Sequence, residues 1–81
     1  MAKSLWGRRY RALLPVLIDI RRQAGLTQRD LSKRLKWVPS KVAKVEIGEQ
    51  QVNPADCVEW AQACGKDPFE LFVRYLRALG L

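Results

Sequence analysis

The sequence predicts an all-α fold, and three observations carry that reading. No run alternates apolar with polar residues for long enough to make a strand, and apolar residues recur at spacings of three, four and seven. Capping residues followed by prolines or acids punctuate the chain where helices should begin. Eighty-one residues give room for one domain around one core. A hydrophobic fraction of 48% excludes a disordered tail as the bulk of the chain, and no repeat, low-complexity stretch or Ser/Gly linker divides it.

Five helices follow in order, forming a compact domain. The first fits roughly residues 15–24, with Leu13, Leu17, Ile20 and Ala24 on one side and Gly25 as its C-terminal stop. Pro15 disfavours helical geometry at Leu14, so a kink, a separate turn and a loose arm all stay open for residues 4–14. The second helix begins at Thr27, placed to cap it, with Asp30 where it favours the free amides of the first turn. Leu31 and Leu35 share one face of that helix. After Lys36-Trp37-Val38, Pro39 suits the first position of a third helix, Val42 and Val45 give it an apolar side, and Gly48 stops it. Two short helices joined by so tight a turn are a device for entering a DNA groove.

The fourth helix starts behind Asn53 as cap, with Pro54 and Asp56 in its first turn, and ends at Gly65. Cys57, Trp60, Ala61 and Cys64 fall on one buried stripe. Asp67, Pro68 and Glu70 then supply a cap, a first-position proline and an acid at the capping-box position for a fifth helix running toward Leu79. That helix carries two apolar stripes, Phe69, Phe72, Leu76 and Leu79 on one and Leu71, Tyr75 and Ala78 on the other. Either the bundle wraps both sides, or one stripe meets a second molecule.

Net charge is +7, and its distribution says more than its size. Residues 1–45 hold twelve Lys/Arg against Asp19 and Asp30, whereas residues 46–81 hold three against six acids. The N-terminal half is therefore suited to a polyanion. Arg8, Arg9 and Arg11, beside Trp6 and Tyr10, make residues 1–12 a basic arm or a helix extension ahead of a domain at residues 13–81. The apolar run behind these arginines is too short to span a bilayer, Asp19 ends it, and no small-residue cleavage site follows before Arg21-Arg22.

Cys57 and Cys64, seven apart on one helix, would lie about 10 Å apart, beyond disulfide reach. They read as core hydrophobes in a reducing, cytoplasmic compartment. Without histidine or a CxxC spacing no zinc site is expected, and no cofactor. An enzyme is not expected either: there is no nucleophile-and-base pair, no phosphate-cradling glycine loop and too little chain to bury a substrate pocket.

Leu17, Ile20-Arg21, Gly25-Leu26-Thr27-Gln28, Leu31, Leu35, Val42, Val45-Glu46, Gly48 and the tail from Ala61 through Gly65-Lys66-Asp67-Pro68 to Phe72 together resemble a known family. It comprises the helix-turn-helix domains of phage repressors and Cro proteins, of the xenobiotic-response-element type, which also occur in restriction–modification controllers and antitoxins. The resemblance spans about residues 13–72 without a gap. It implies a five-helix, repressor-type domain in a bacterial or phage-encoded protein, with the third helix, about residues 39–47, in the major groove and the second crossing above it.

Carried over by position, Pro39, Ser40 and Lys44 face base edges, and Lys44 is suited to guanine O6 and N7. Gln28 matches the family's phosphate-anchoring glutamine, and Lys41, Arg29, Lys33 and Gln50 are further phosphate candidates. Arg21 and Glu46 stand where the family has a buried ion pair tying the first helix to the third. Four residues depart from the family pattern. Lys36 replaces a glycine, Val38 a Ser/Thr cap, Ser32 an alanine, and Trp37 a smaller aliphatic, where it reads as core filling ahead of an exposed contact.

The expected function is that of a sequence-specific, DNA-binding transcriptional regulator. It would bind double-stranded DNA as a homodimer on a two-fold operator, with Phe72, Tyr75, Leu76 and Leu79 at the dimer interface. The alternative is a protein-interaction module, an antitoxin or adaptor, using the apolar last helix on a heterologous partner. Neither a membrane nor a small-molecule substrate is expected.

Overall fold

Side-chain caps and first-turn prolines set most helix boundaries in the computed structural model, which describes residues 7–81. Residues 1–6 of the basic arm, Trp6 included, lie outside the described residues. The helices are α1 Gly7–Arg11, α2 Leu13–Gln23, α3 Gln28–Leu35, α4 Pro39–Glu46, α5 Pro54–Ala63 and α6 Pro68–Ala78. The regular structure of the described residues is all helical. The five helices from α2 to α6 make up the expected bundle, and α1 is a short separate turn ahead of them.

Each start has a local cause. Thr27 Oγ1 accepts the Asp30 amide at 3.0 Å while the Thr27 amide donates to the Asp30 carboxylate at 3.1 Å, a reciprocal capping box. The Thr27 amide first, and the Thr27 hydroxyl after it, hold the Asp30 carboxyl below its ordinary pKa. Asn53 and Asp56 repeat the box at α5, at 2.7 and 3.1 Å. Val38 offers α4 no side-chain acceptor, and Pro39 opens the helix by its fixed φ alone. α2 begins two residues earlier than the spacing suggests, because Pro15 occupies its third position, where an N–H would lack an intrahelical partner anyway.

One capping expectation is corrected at α6. Asp67 accepts the Phe69 amide at 2.9 Å, but Glu70 does not complete a box. Its carboxylate is drawn instead to Arg74, at 2.6 Å, and Lys66, at 3.7 Å, each four residues away along the chain.

The apolar stripes converge on Trp60, which is fully buried and donates its indole N–H to the Leu17 carbonyl at 3.1 Å. Leu17 and Ile20 of α2, Leu31 of α3, Val42 and Val45 of α4, Ala61 of α5 and Leu71 of α6 surround it in the core. Trp37 is half-buried and meets Trp60 edge-on, with ring centroids 6.1 Å apart, so it extends the core under the α3–α4 turn. Cys57 and Cys64 are free and buried. Burial pushes the Cys57 thiol up to about 11 and raises Cys64 as well, so both pack as neutral hydrophobes.

The turn between α3 and α4 closes on Lys36, whose φ of 59° is the one positive value at a non-glycine among the described residues. Its neighbour Trp37 donates its amide back to the Ser32 carbonyl at 3.0 Å, so the left-handed residue is required to wrap the chain around the helix end. Ser32 itself is buried, and its hydroxyl donates to the Gln28 carbonyl at 2.9 Å, so a residue this small accommodates the approach of α4.

A buried clasp fixes α4 to α2. Arg21 Nε and Nη2 donate to the two Glu46 oxygens at 2.6 and 3.1 Å, and Arg21 Nη1 donates to the Leu26 carbonyl at 2.9 Å. Gln28 Nε2 donates to Glu46 Oε1 at 2.8 Å, so α3 joins the same network.

Left-handed lysine is disfavoured by roughly 1–2 kcal/mol. Lys36→Gly should therefore raise stability by about 1 kcal/mol after glycine's entropic cost, moving the thermal midpoint up by roughly 4–8 °C in circular dichroism. A lowered midpoint would show that Lys36 is not strained. Urea unfolding should find Arg21→Ala destabilised by about 3–5 kcal/mol, since it strands Glu46 in the interior. Arg21→Met with Glu46→Leu should recover most of that loss, and equal losses in both variants would rule out the stranded charge as the cause.

Candidate nucleic-acid interface

With Val42, Val45 and Glu46 turned inward, the opposite side of α4 is left to solvent. Ser40 and Lys44 are exposed there, one turn apart on a common face, and Pro39 is exposed at the first position of the helix. Neither hydroxyl nor ammonium is committed to a partner among the described residues, so this face can donate to base edges without first breaking a bond.

α3 lies across α4 and presents its own N-terminus beside it. Gln28, the first residue of α3, is half-buried because one amide hydrogen is engaged by Glu46. Its second amide hydrogen remains available to donate to a phosphate oxygen. Spacing gives no hint of this bond, since residues 28 and 46 meet only after the turn has folded. Arg29 and Lys33, four apart, are exposed along α3. Lys41 is half-buried, and its ammonium sits 4.0 Å from the centre of the Trp37 ring. A charge at the first turn of α4 is thus positioned by an aromatic the sequence places in the core. Gln50 is half-buried behind the end of α4, its backbone amide donating to the Lys44 carbonyl at 3.2 Å.

The last helix divides its apolar residues between two environments. Leu71 is fully buried, and Phe72 and Tyr75 are half-buried against the core, with the Tyr75 hydroxyl donating to the Arg9 carbonyl at 2.8 Å. Leu79 is half-buried and Leu76 is 46% exposed. Phe69 and Leu81 are 74% and 82% exposed, although neither is among the interface candidates chosen from spacing. For Phe69 the signal was present, since it lies seven residues before Leu76 on the same stripe.

Among the described residues no group of His, Cys, Asp and Glu is arranged to hold a metal ion, and no helix is long and apolar enough to cross a membrane.

Comparison with known proteins gives the same architecture. A family model described as a helix-turn-helix domain matches residues 16–72, a span that contains α3, α4 and the clasp residues Arg21, Gln28 and Glu46. Among solved structures, an XRE-family like protein from Pseudomonas syringae pv. tomato str. DC3000 is similar at a TM-score of 0.81 and 32% sequence identity, over 94% of this chain and 93% of that one. No curated protein matches. A framed pair of short helices with an open basic face, the family match and this structural likeness lead to one assignment: the chain belongs to the XRE/Cro-like helix-turn-helix family and is a DNA-binding regulator.

Proposed function

We propose that the protein regulates transcription by sequence-specific binding, with α4 in the major groove and α3 across it. The observation that carries this reading is the exposed Pro39, Ser40 and Lys44 face on a helix whose other side is held by the core and the clasp. In that arrangement Lys44 donates to guanine O6 or N7, Ser40 bonds a neighbouring base edge and Pro39 packs on an apolar group such as a thymine methyl. Gln28, Arg29, Lys33, Lys41 and Gln50 hold the phosphate backbone on either side and set the register. Lys41 exchanges part of its contact with the Trp37 ring for a phosphate oxygen.

The protein acts as a homodimer on a two-fold operator. Exposed Phe69 and Leu76, with Leu79 beside them, support a contact through α6, and Phe72 and Tyr75 brace that helix from the core side. Each subunit then reads one half-site, the centres separated by about one helical turn of DNA. The same apolar residues would also suit a heterologous protein, as in an antitoxin or adaptor, with which a second copy of this chain would compete.

Selection from a random duplex pool should yield a two-fold sequence with half-sites about 10 bp apart, and recovery of no preferred sequence would end the specific-regulator reading. Lys44→Ala should weaken the selected site by about 1–3 kcal/mol and relax preference at one position per half-site, with thermal unfolding unchanged. An unaltered preference would remove Lys44 from the reading head. Sedimentation should give twice the chain mass for the wild type and the single-chain mass for Phe69→Asp with Leu76→Asp. A monomeric wild type that co-purifies with a stoichiometric second protein would favour the adaptor reading.

A further inference from the structure

Beyond the helix pair, the geometry points to Arg11, with Arg8 one turn behind it, as an additional phosphate-binding element that lengthens the DNA-facing surface past the C-terminal end of α4. This rests on the reading that α4 enters the groove.

Three observations meet at this place. The first is proximity: Gly48 lies two residues past the end of α4, the helix that carries the base-contact candidates, and four residues after Lys44. Gly48 brings no side chain there, and Arg11 of α1 packs over it together with Leu14 of α2. Arg11 Nη1 lies 2.8 Å, and Cζ 3.4 Å, from the position a Gly48 Cβ would take. Gly48 also has a φ of 83°, so the backbone selects glycine here, and Leu14 Cδ1 of α2 lies 3.2 Å from the same Cβ position.

The second observation is that α1 is docked. The Val52 amide donates to the Tyr10 hydroxyl at 3.0 Å, and the Tyr75 hydroxyl donates to the Arg9 carbonyl at 2.8 Å. α1 is therefore tied both to the loop after α4 and to α6. Arg11 reaches the end of α4 from a fixed base, and less conformational freedom is lost when it binds.

The third is charge. Arg8 and Arg11 are exposed, and the ion pairs among the described residues engage Arg21, Lys66 and Arg74 instead. Neither guanidinium donates a hydrogen bond within the described residues, so both forks are free for phosphate oxygens, which they match bidentately. The negative end of the α4 dipole accounts for one cation at Gly48, but not for a second one turn farther out along α1.

The contact is to the sugar–phosphate backbone and carries no base preference, so a random-sequence duplex labelled with fluorescein is the appropriate probe. Anisotropy titrations of the full chain at several salt concentrations should give a log–log slope shallower by about 0.9 for Arg8→Gln and for Arg11→Gln, and by about 1.8 for the double variant. Arg77→Gln, on α6, should keep the wild-type slope. Arg8→Gln leaves the Gly48 contact intact and keeps the test decisive should Arg11→Gln unfold. A wild-type slope in the double variant would overturn the inference, whether or not its thermal midpoint fell, because Arg11 would then only cap α4. An equal loss in Arg77→Gln would also overturn it, as an effect of total charge. Absence of salt-dependent binding by the wild type would instead remove the groove-docking reading, and this inference with it.

Discussion

The rest of the structure depends on the Arg21–Glu46 clasp, because its hydrogen bonds link α2, α3 and α4, the helices on which the proposed DNA-binding surface is built. Arg21 reaches from α2, Glu46 stands at the end of α4 and Gln28 comes from the start of α3. Every guanidinium nitrogen of Arg21 and both carboxylate oxygens of Glu46 are occupied, the third nitrogen by the Leu26 carbonyl. Such a network adds little net stability over an apolar replacement, since both charges have left water. What it contributes is direction. Apolar contacts through Val42 and Val45 would tolerate small rotations of α4, whereas a two-pronged ion pair admits one orientation.

The turn between α3 and α4 shows how this chain accommodates residues that depart from its family's pattern. Lysine at the left-handed position carries strain, and valine ahead of Pro39 leaves α4 without a side-chain cap. Trp37 offsets both by anchoring the turn on Trp60 and by holding the Lys41 ammonium over its ring. A residue that packs on the core therefore also places a cation at the first turn of α4. Core packing and the placement of that charge are coupled through one indole.

Exposed basic charge is concentrated in the first half of the chain, and the most exposed apolar side chains lie toward its end. The basic residues of α1, α3 and α4 precede Glu46 in the chain, while the exposed Phe69, Leu76 and Leu81 lie at its C-terminal end and Val38 and Ile47 are exposed at the two ends of α4. α1 crosses this division. Its arginines belong to the basic set, yet its backbone is held by Tyr75 from the last helix. A change in how α6 packs would reach Arg11 through that bond, giving the proposed DNA and dimer contacts a physical route by which to influence each other.

The sequence by itself determined the helical fold and most helix starts, because caps and prolines act on residues one to three positions away. The Thr27–Asp30 and Asn53–Asp56 boxes are legible for that reason. The core stripe through Cys57, Trp60, Ala61 and Cys64 is legible because helical periodicity brings residues three and four apart onto one face. The ion pair of Arg21 with Glu46 was available only through resemblance to a family, since twenty-five residues separate its partners. Where several local partners compete, spacing cannot choose: Glu70 sits at a capping-box position, and only the folded helix shows it turned toward Arg74. The tertiary structure alone decided that Gln28 joins the clasp, that Lys41 rests on Trp37, that Phe69 faces solvent and that Arg11 covers Gly48. Each of these depends on how whole helices are oriented, a quantity set by the packed core and invisible to any window of neighbouring residues.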